Sequence, residues 1–273
     1  MIALHAWRSA ESIRRFRELY PDRPLIVALS GTDINEYIEH DPKPTLRSLA
    51  CADRLIALQE LARKRVPRRF RHKVRVIYQS AAAVPEAHAE TAHGFDVAVI
   101  GHLRVVKDPL RAAYAARLLP ARSRLRIVHF GAADTAQWHE RAQAEMRRNP
   151  RYRWRGDRPR AQVRRLLARV RAMVLSSRSE GGANVISEAA VARVPILASR
   201  IEGSVGLLGR DYPGYFPAGN TQALARLLHR IETDARFHDR LHRAIARRAH
   251  LFRPEREQAA WKKLIAVLAR SAD

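Results

Sequence analysis

Cysteine is almost missing from this chain: its 273 residues contain one, Cys51. An intrachain disulfide scaffold is therefore excluded. Aromatic residues are scarce at 7 %, and no aromatic RNA-binding motif is present. No run approaches the roughly 18 apolar residues that span a bilayer, so no transmembrane segment is expected. The opening Met1-Ile2-Ala3-Leu4-His5 has no basic region followed by an apolar stretch, and a secretory signal is not expected either. The chain has no Walker loop, no dinucleotide glycine fingerprint and no metal-ligand spacing among its 12 His. No metal and no cofactor is expected. A soluble, cytoplasmic protein is the expectation.

Acidic residues are also few, 27 against 51 Lys+Arg, for a formal charge of +24. That balance invites a nucleic-acid reading. The basic residues, mostly Arg, are spread over nearly every predicted helix instead of one face, and no zinc-finger spacing or basic heptad region occurs. A nucleic-acid partner is not expected. An anionic small molecule uses the same positive field. The hydrophobic fraction of 47 % is too high for a disordered chain. The length suits one large α/β domain or two ordinary ones.

Short apolar runs alternate with amphipathic stretches, the pattern of βαβ units and a parallel sheet. Strands are predicted at 2–5, 25–29, 54–58 and 74–78, with helices over 45–52 and 59–69. The small, polar, proline-containing stretch 79–94 suits a linker. A second series follows, with strands at 96–100, 125–130, 152–155, 172–175 and 195–198. Its helices are predicted near 109–119, 135–148, 159–170 and 183–192, and the chain is helical after Gly219-Asn220 except near Pro254. The expected architecture is α/β with two Rossmann-like domains. Residues 1–92 form an N-terminal domain, 93–254 a C-terminal nucleotide-binding domain, and 255–273 a C-terminal helix packing back toward the first. The first domain has few strands for a doubly wound fold and looks truncated at its start.

The strongest local signal is Ser176-Ser177-Arg178-Ser179-Glu180-Gly181-Gly182-Ala183-Asn184-Val185-Ile186-Ser187-Glu188, between a predicted strand and helix. Gly181-Gly182 permits close backbone approach, and free amides at a helix start favour an anion. Glu180 and Glu188 sit roughly 8 Å or more apart at about 1.5 Å per residue. That separation suits two hydroxyl-bearing rings flanking a diphosphate, because carboxylates accept from sugar hydroxyls. The plainer alternative makes Glu180 a helix-dipole charge and Glu188 a solvated residue. Gly101-His102-Leu103-Arg104-Val105-Val106-Lys107 leaves a strand end, where ligands lie in open α/β sheets. Arg104 and Lys107 suit a diphosphate, or are ordinary surface charge. Ser30-Gly31-Thr32-Asp33 follows a buried strand and offers polar groups to the crevice, or a simple turn and cap. His5-Ala6-Trp7-Arg8-Ser9 also leaves a strand end; His5 could be a base or a phosphate donor and Arg8 an anion clamp. The loop Ser199 to Gly206 has Gly-Ser-x-Gly, which does not support a nucleophile elbow. The segment 211–217 is turn-rich and carries no evident chemistry.

The second, fourth and fifth of these elements, with the Glu180/Glu188 pair and the following Val194-Pro195-Ile196-Leu197, resemble the two-Rossmann (GT-B) glycosyltransferases of family 4. The resemblance covers Phe95 to the C-terminus well and Ala3 to Ser80 more weakly. It implies that Glu188 holds a nucleotide ribose. It implies that Glu180 and the amides of Gly181, Gly182, Ala183 and Asn184 contact the donor sugar, and that Gly101, Arg104 and Lys107 serve its phosphates. The family places Arg directly after the first glycine of this motif, and this chain has His102, with Arg104 two places on. Within the family, the strings at 5–9, 30–33, 101–104, 180–185 and 206–217 are most similar to the selenosugar synthases of selenoneine biosynthesis. That similarity implies a UDP-N-acetylglucosamine donor and selenophosphate as an anionic acceptor. His5, Arg8, Asp33 and Glu180 would be catalytic, and Ser9, Gly31 and Thr32 would line the acceptor side. The alternatives are a lipid or glycan acceptor, or a nucleotide-sugar binder without turnover. The basic helix predicted at 59–69 is the membrane-contact candidate for the former.

Overall fold

The computed structural model describes residues 1–83 and 94–270. Two parallel sheets organise the chain. The first contains β1 (Ile2–Leu4), β2 (Ile26–Ala28), β3 (Arg54–Ala57) and β4 (Val74–Val76) in the order β1-β2-β3-β4. Its connections include α1 (Ala10–Leu19), a π-helical turn Asp33–Tyr37 leading into α2 (Ile38–His40), then α3 (Pro42–Cys51) and α4 (Ala62–Arg65). The second contains β5 (Phe95–Ile100), β6 (Leu125–Phe130), β7 (Tyr152–Trp154), β8 (Ala172–Leu175), β9 (Ile196–Ser199) and β10 (Tyr215–Phe216). Its helices are α5 (Arg111–Ala116), α6 (Ala136–Arg148), α7 (Arg160–Leu167), α8 (Asn184–Val191) and α9 (Glu202–Leu208). The chain ends with α10 (Thr221–Thr233), α11 (Ala235–Ala249) and α12 (Pro254–Ala269). The expected α/β class with two Rossmann-like sheets is what the chain adopts.

Alternation along the strands explains how the first sheet packs. Ala3, Val27, Leu55 and Val74 face one side, where they bury with Ile13 of α1 and Leu49 of α3. Ile26, Ile56 and Ile77 face the other, packed with Leu264 and Leu268 of α12. Ile2 and Leu4 on the edge strand β1 are left exposed. The second sheet runs β10-β9-β8-β5-β6-β7. Its chain order reverses at β5, which opens a crevice at the carboxyl ends of β5 and β8. One continuous apolar cluster holds this sheet and its helices together. The first sheet runs monotonically and contains no such reversal.

Three expectations are corrected. The helix predicted over 59–69 is only the short α4 followed by a 3-10 turn, Arg68–Lys73. Pro67 stands between them, lacking the N–H and the backbone freedom to continue a helix. No long basic amphipathic face forms there. The glycine-containing loop after β9 closes into α9, and the turn-rich stretch beyond it carries β10. Tyr212 explains that segment: its hydroxyl donates to the Ile196 carbonyl at 2.8 Å and accepts from the Ile196 amide at 2.9 Å, clamping the start of β9. Of the expected linker, residues up to Ala83 are described. Ser80 donates its amide to Glu257 and Ala81 its amide to the Phe252 carbonyl. The boundary expected at 92/93 lies outside the described residues. No helix among the described residues is long and apolar enough to cross a membrane.

Candidate functional site

The carboxyl ends of both sheets meet. A Cβ on Gly31, after β2, would lie within 3.0 Å of the Gly181 backbone, and one on Gly181 would meet Gly31 equally closely. Only glycine on both sides allows this approach. Around it, the Asn35 amide donates to Ser179 Oγ at 3.1 Å, Gly182 packs on Leu58 and Gly206 on Gln59, and Arg65 pairs with Glu202 at 2.6 Å. Gly31, Gly181 and Gly182 therefore form the seam between the two halves.

On the second sheet, the turn after β5, the end of β6, the segment entering α7 and Glu188 of α8 build a cleft of about 320 Å³. Gly101, Arg104, Lys107 and Glu188 line it together, with His102, Asp157, Arg158 and Arg160. The Lys107 loop is tied down from β8. Ser176 Oγ donates to the Lys107 and Asp108 carbonyls, and the Arg178 amide donates to the Val106 carbonyl. Asp108, in the left-handed region at φ 45°, turns the chain sharply after Lys107 and pairs with Arg111 at 2.9 Å. Lys107 Nζ then donates to Glu180 Oε1, which also accepts from Ser177 Oγ at 2.6 Å. Glu180 is thus already joined to the cation expected to hold phosphate. The arrangement puts a carboxylate directly beside an ammonium group at the edge of the cleft. The exposed Arg104 guanidinium has no ion pair among the described residues.

Glu188 is buried, with its carboxylate held by Arg160 at 2.8 Å. Arg160 was not singled out by sequence reasoning. The signal existed: Asp157-Arg158-Pro159-Arg160 follows β7 as Arg104 and Lys107 follow β5, so the same strand-end rule covers it. Ala183 is buried at the α8 N-terminus. Asn184 follows it with Oδ1 buried and unpartnered.

On the first sheet, the loop after β1 is organised by Asp33. This carboxylate is fully buried. It accepts from the amides of Ala6 at 2.9 Å, Trp7 at 2.9 Å and Ser30 at 2.8 Å. Asp33 does not offer itself to the crevice as the sequence reading had it; it ties the loop together from within. His5, in the left-handed region at φ 74°, has Nδ1 2.6 Å from Asp33 Oδ1. The Arg8 amide approaches the same nitrogen at 3.2 Å. A proton on Nδ1 serves Asp33, whereas a bare Nδ1 accepts from Arg8. Nε2 lies 2.9 Å from Thr32 Oγ1, and Thr32 Oγ1 lies 2.9 Å from Ser30 Oγ. Burial lowers the His5 pKa, Asp33 opposes this, and the Arg8 charge adds to the lowering. His5 is therefore neutral near pH 7. The Arg8 guanidinium is exposed and unpaired among the described residues. Ser9 Oγ is engaged in donating to the Leu4 carbonyl at 2.6 Å, which stiffens the entry to α1.

A larger, open depression of about 620 Å³ lies beside the end of α3. Its cations are already engaged. Lys73 donates to the Leu49, Ala50 and Ala52 carbonyls, and Arg17 to the Cys51 carbonyl and Asp53. It offers no free anion site. Among the described residues no cluster of His, Cys, Asp and Glu could hold a metal ion.

Comparison with known proteins accords with this geometry. The family model described as "Glycosyl transferases group 1" matches residues 83–248. Among solved structures, Anabaena Alr3699/HepE in complex with UDP has a TM-score of 0.79 at 17 % identity, over 98 % of this chain and 79 % of that one. Sucrose-phosphate synthase from Thermosynechococcus elongatus gives 0.82 at 18 %, over 99 % and 73 %. A UDP-forming α,α-trehalose-phosphate synthase from Burkholderia vietnamiensis gives 0.79 at 10 %, over 100 % and 74 %. The GT-B arrangement of two Rossmann-like sheets thus extends over nearly the whole chain, which is shorter than these neighbours.

Proposed function

We propose that this chain, which belongs to the group 1 glycosyl transferases, transfers N-acetylglucosamine from its UDP-sugar to selenophosphate. The observation that carries the reading is the junction of two anion-seeking sites. The cleft with Arg104, Lys107 and Arg160 is joined to the Gly31–Gly181 seam through the Lys107–Glu180 contact. The His5, Arg8 and Thr32 loop is tied through Ser30 and Thr32 to the other side of the same seam. A neutral acceptor needs no second cation; an anionic one uses Arg8. The selenosugar assignment rests on the sequence strings described above, and the UDP assignment is supported by the UDP in the HepE complex. The unbroken basic helix that favoured a lipid acceptor is not formed.

On this reading Glu188 accepts from the ribose hydroxyls, exchanging part of its pairing with Arg160. Arg104 and Lys107 hold the diphosphate. Glu180, with the amides of Gly182, Ala183 and Asn184, orients the sugar. Arg8 and Thr32 bring the selenophosphate, with neutral His5 donating or accepting at Nε2. A selenium lone pair forms the bond to the anomeric carbon while the carbon–oxygen bond to the diphosphate breaks. UDP departs with that electron pair, and the Lys107 and Arg104 charges stabilise it as it forms. Closure at the glycine seam excludes water.

The test is UDP release from UDP-N-acetylglucosamine with and without selenophosphate. Selenophosphate-dependent release, lost in Arg8→Ala, is expected. Release driven equally by a lipid or glycan acceptor overturns the acceptor assignment. Donor binding without release under any acceptor overturns catalysis.

A further inference from the structure

Two buried side chains and one main-chain amide near the turn after β5 have been given no role so far. His129 on β6 and Tyr152 on β7 are both fully buried. The His129 Nδ1 lies 2.9 Å from the Tyr152 hydroxyl, and its Nε2 lies 3.0 Å from the Gly101 carbonyl oxygen. Only one tautomer satisfies both contacts. A carbonyl accepts only, so Nε2 carries the proton and donates to Gly101, and Nδ1 accepts from the Tyr152 hydroxyl. Burial pushes the His129 pKa down to about 4, which keeps the ring in this neutral form. Gly131, at φ 147°, gives the Gly101 peptide the room it occupies, because a Cβ there would overlap the Gly101 carbonyl.

The peptide plane carries the consequence. Its C=O and the following N–H point in opposite directions. With the Gly101 oxygen drawn toward β6, the His102 N–H is aimed away from β6, to the side of β5 where β8 ends. That amide makes no hydrogen bond among the described residues. Gly101, His102 and Lys107 line the cleft described above and also, with His129, Ser176 and Ser177, a small cavity beside it. The His102 side chain is meanwhile engaged, its Nδ1 accepting from the Ala132 amide at 3.1 Å.

We propose that the His102 main-chain N–H is a binding group for an anionic phosphate oxygen of the nucleoside diphosphate, and that Tyr152 and His129 are the positioning residues that aim it. This rests on reading the cleft as a nucleoside diphosphate site. It gives position 102 a function that does not need the Arg which the resembling family carries there. A buried relay fixes the peptide whose amide faces the ligand.

The experiment titrates UDP and uridine into the wild-type chain, His129→Leu, His129→Gln and Tyr152→Phe by calorimetry. The wild-type His102 amide is followed by NMR with isotope-labelled histidine, and melting temperatures are recorded throughout. His129→Gln keeps an N–H donor at the place of Nε2. The expected result is a loss of UDP affinity of about tenfold in His129→Leu, the effect of one charge-assisted hydrogen bond. Uridine affinity stays unchanged, and His129→Gln recovers most of the loss. Tyr152→Phe, which no longer fixes the tautomer, falls between. The His102 amide resonance moves downfield with UDP and not with uridine. A parallel loss of UDP and uridine affinity in His129→Leu, or a His102 amide indifferent to UDP, overturns the proposal while leaving the nucleotide site standing. Failure of the wild-type chain to bind either ligand overturns the nucleotide reading and this proposal with it.

Discussion

The loop after β1 and the loop after β5 hold corresponding places, each at the carboxyl end of a parallel sheet, yet they hold their charges differently. After β1 the central charge is a carboxylate, Asp33, fully buried and saturated by three main-chain amides. After β5 the charges are cations, Arg104 and Lys107, standing at an open cleft. Sheet order accounts for the difference. The six-stranded sheet reverses at β5, so its strand-end loops diverge and leave a crevice. The four-stranded sheet never reverses, so its loops pack on one another and need an internal tie. One half of the molecule holds an open cleft, and the other a loop cluster fastened from within by Asp33.

The substitution that breaks this contrast most severely is Asp33→Ala. It leaves the Ala6, Trp7 and Ser30 amides without their acceptor and removes the partner of His5. The expected cost is about 3–5 kcal/mol of unfolding free energy, read by urea denaturation. The cleft belongs to the other sheet, so UDP affinity measured under folded conditions stays within about threefold. Stability close to wild type would mean that Asp33 is not the tie.

The second prediction uses pH. His129 has a folded pKa of about 4, against about 6.5 when unfolded. The folded state therefore excludes a proton that the unfolded state binds. Its stabilisation is complete above about pH 6.5 and is lost as pH falls toward 4. The shift corresponds to about 3 kcal/mol. His129→Gln should flatten this part of the acid limb in melts between pH 7 and 4, and an unchanged acid limb would refute the neutral, buried assignment. His5 contributes with the same sign, since burial also lowers its pKa.

How much of this was legible beforehand differs between the two halves. The strand-end rule located Arg104 and Lys107, because their place follows from a strand pattern and two basic residues. The same rule, applied after β7, would have found Arg160. Asp33 could be named but its role could not: whether a carboxylate faces a crevice or three amides depends on where residues 6, 7 and 30 come to lie. The glycine pair Gly181-Gly182 signalled close backbone approach, which is found, but the approaching backbone is that of Gly31. No local pattern distinguishes a phosphate from a peptide there. Pro67 lies within the expected helix 59–69, and its missing N–H is the local signal for where that helix stops. His129 and Tyr152 lie on adjacent strands whose register is a tertiary fact.

Within the cleft, Glu188→Ala sharpens the comparison. The buried carboxylate is paired with a single exposed Arg160, so its loss leaves no amide orphaned as Asp33→Ala does. Stability should change by about 1 kcal/mol or less, because the freed guanidinium can hydrate. UDP-sugar affinity should fall by about tenfold or more, about 1.4 kcal/mol. A fall under about threefold would mean the ribose is held elsewhere.

The smallest effect is expected where the two halves touch through charge. Arg65 on α4 and Glu202 on α9 pair at 2.6 Å with side chains 45 % and 43 % exposed. Solvent screens such a pair, and its contribution to stability is about 0.5 kcal/mol. Arg65→Ala and Glu202→Ala should therefore barely shift the melting temperature, and the double variant should differ little from either single one. The pair spans the seam and contributes no lining to the cleft. If closure over the donor accompanies turnover, loosening this pair alters kcat with UDP affinity unchanged. A coupling energy above about 1 kcal/mol in the double-mutant cycle would mean that charge fastens the halves together. A value near zero leaves the glycine seam, with Gly31 against Gly181 and Gly182 against Leu58, as what sets their approach.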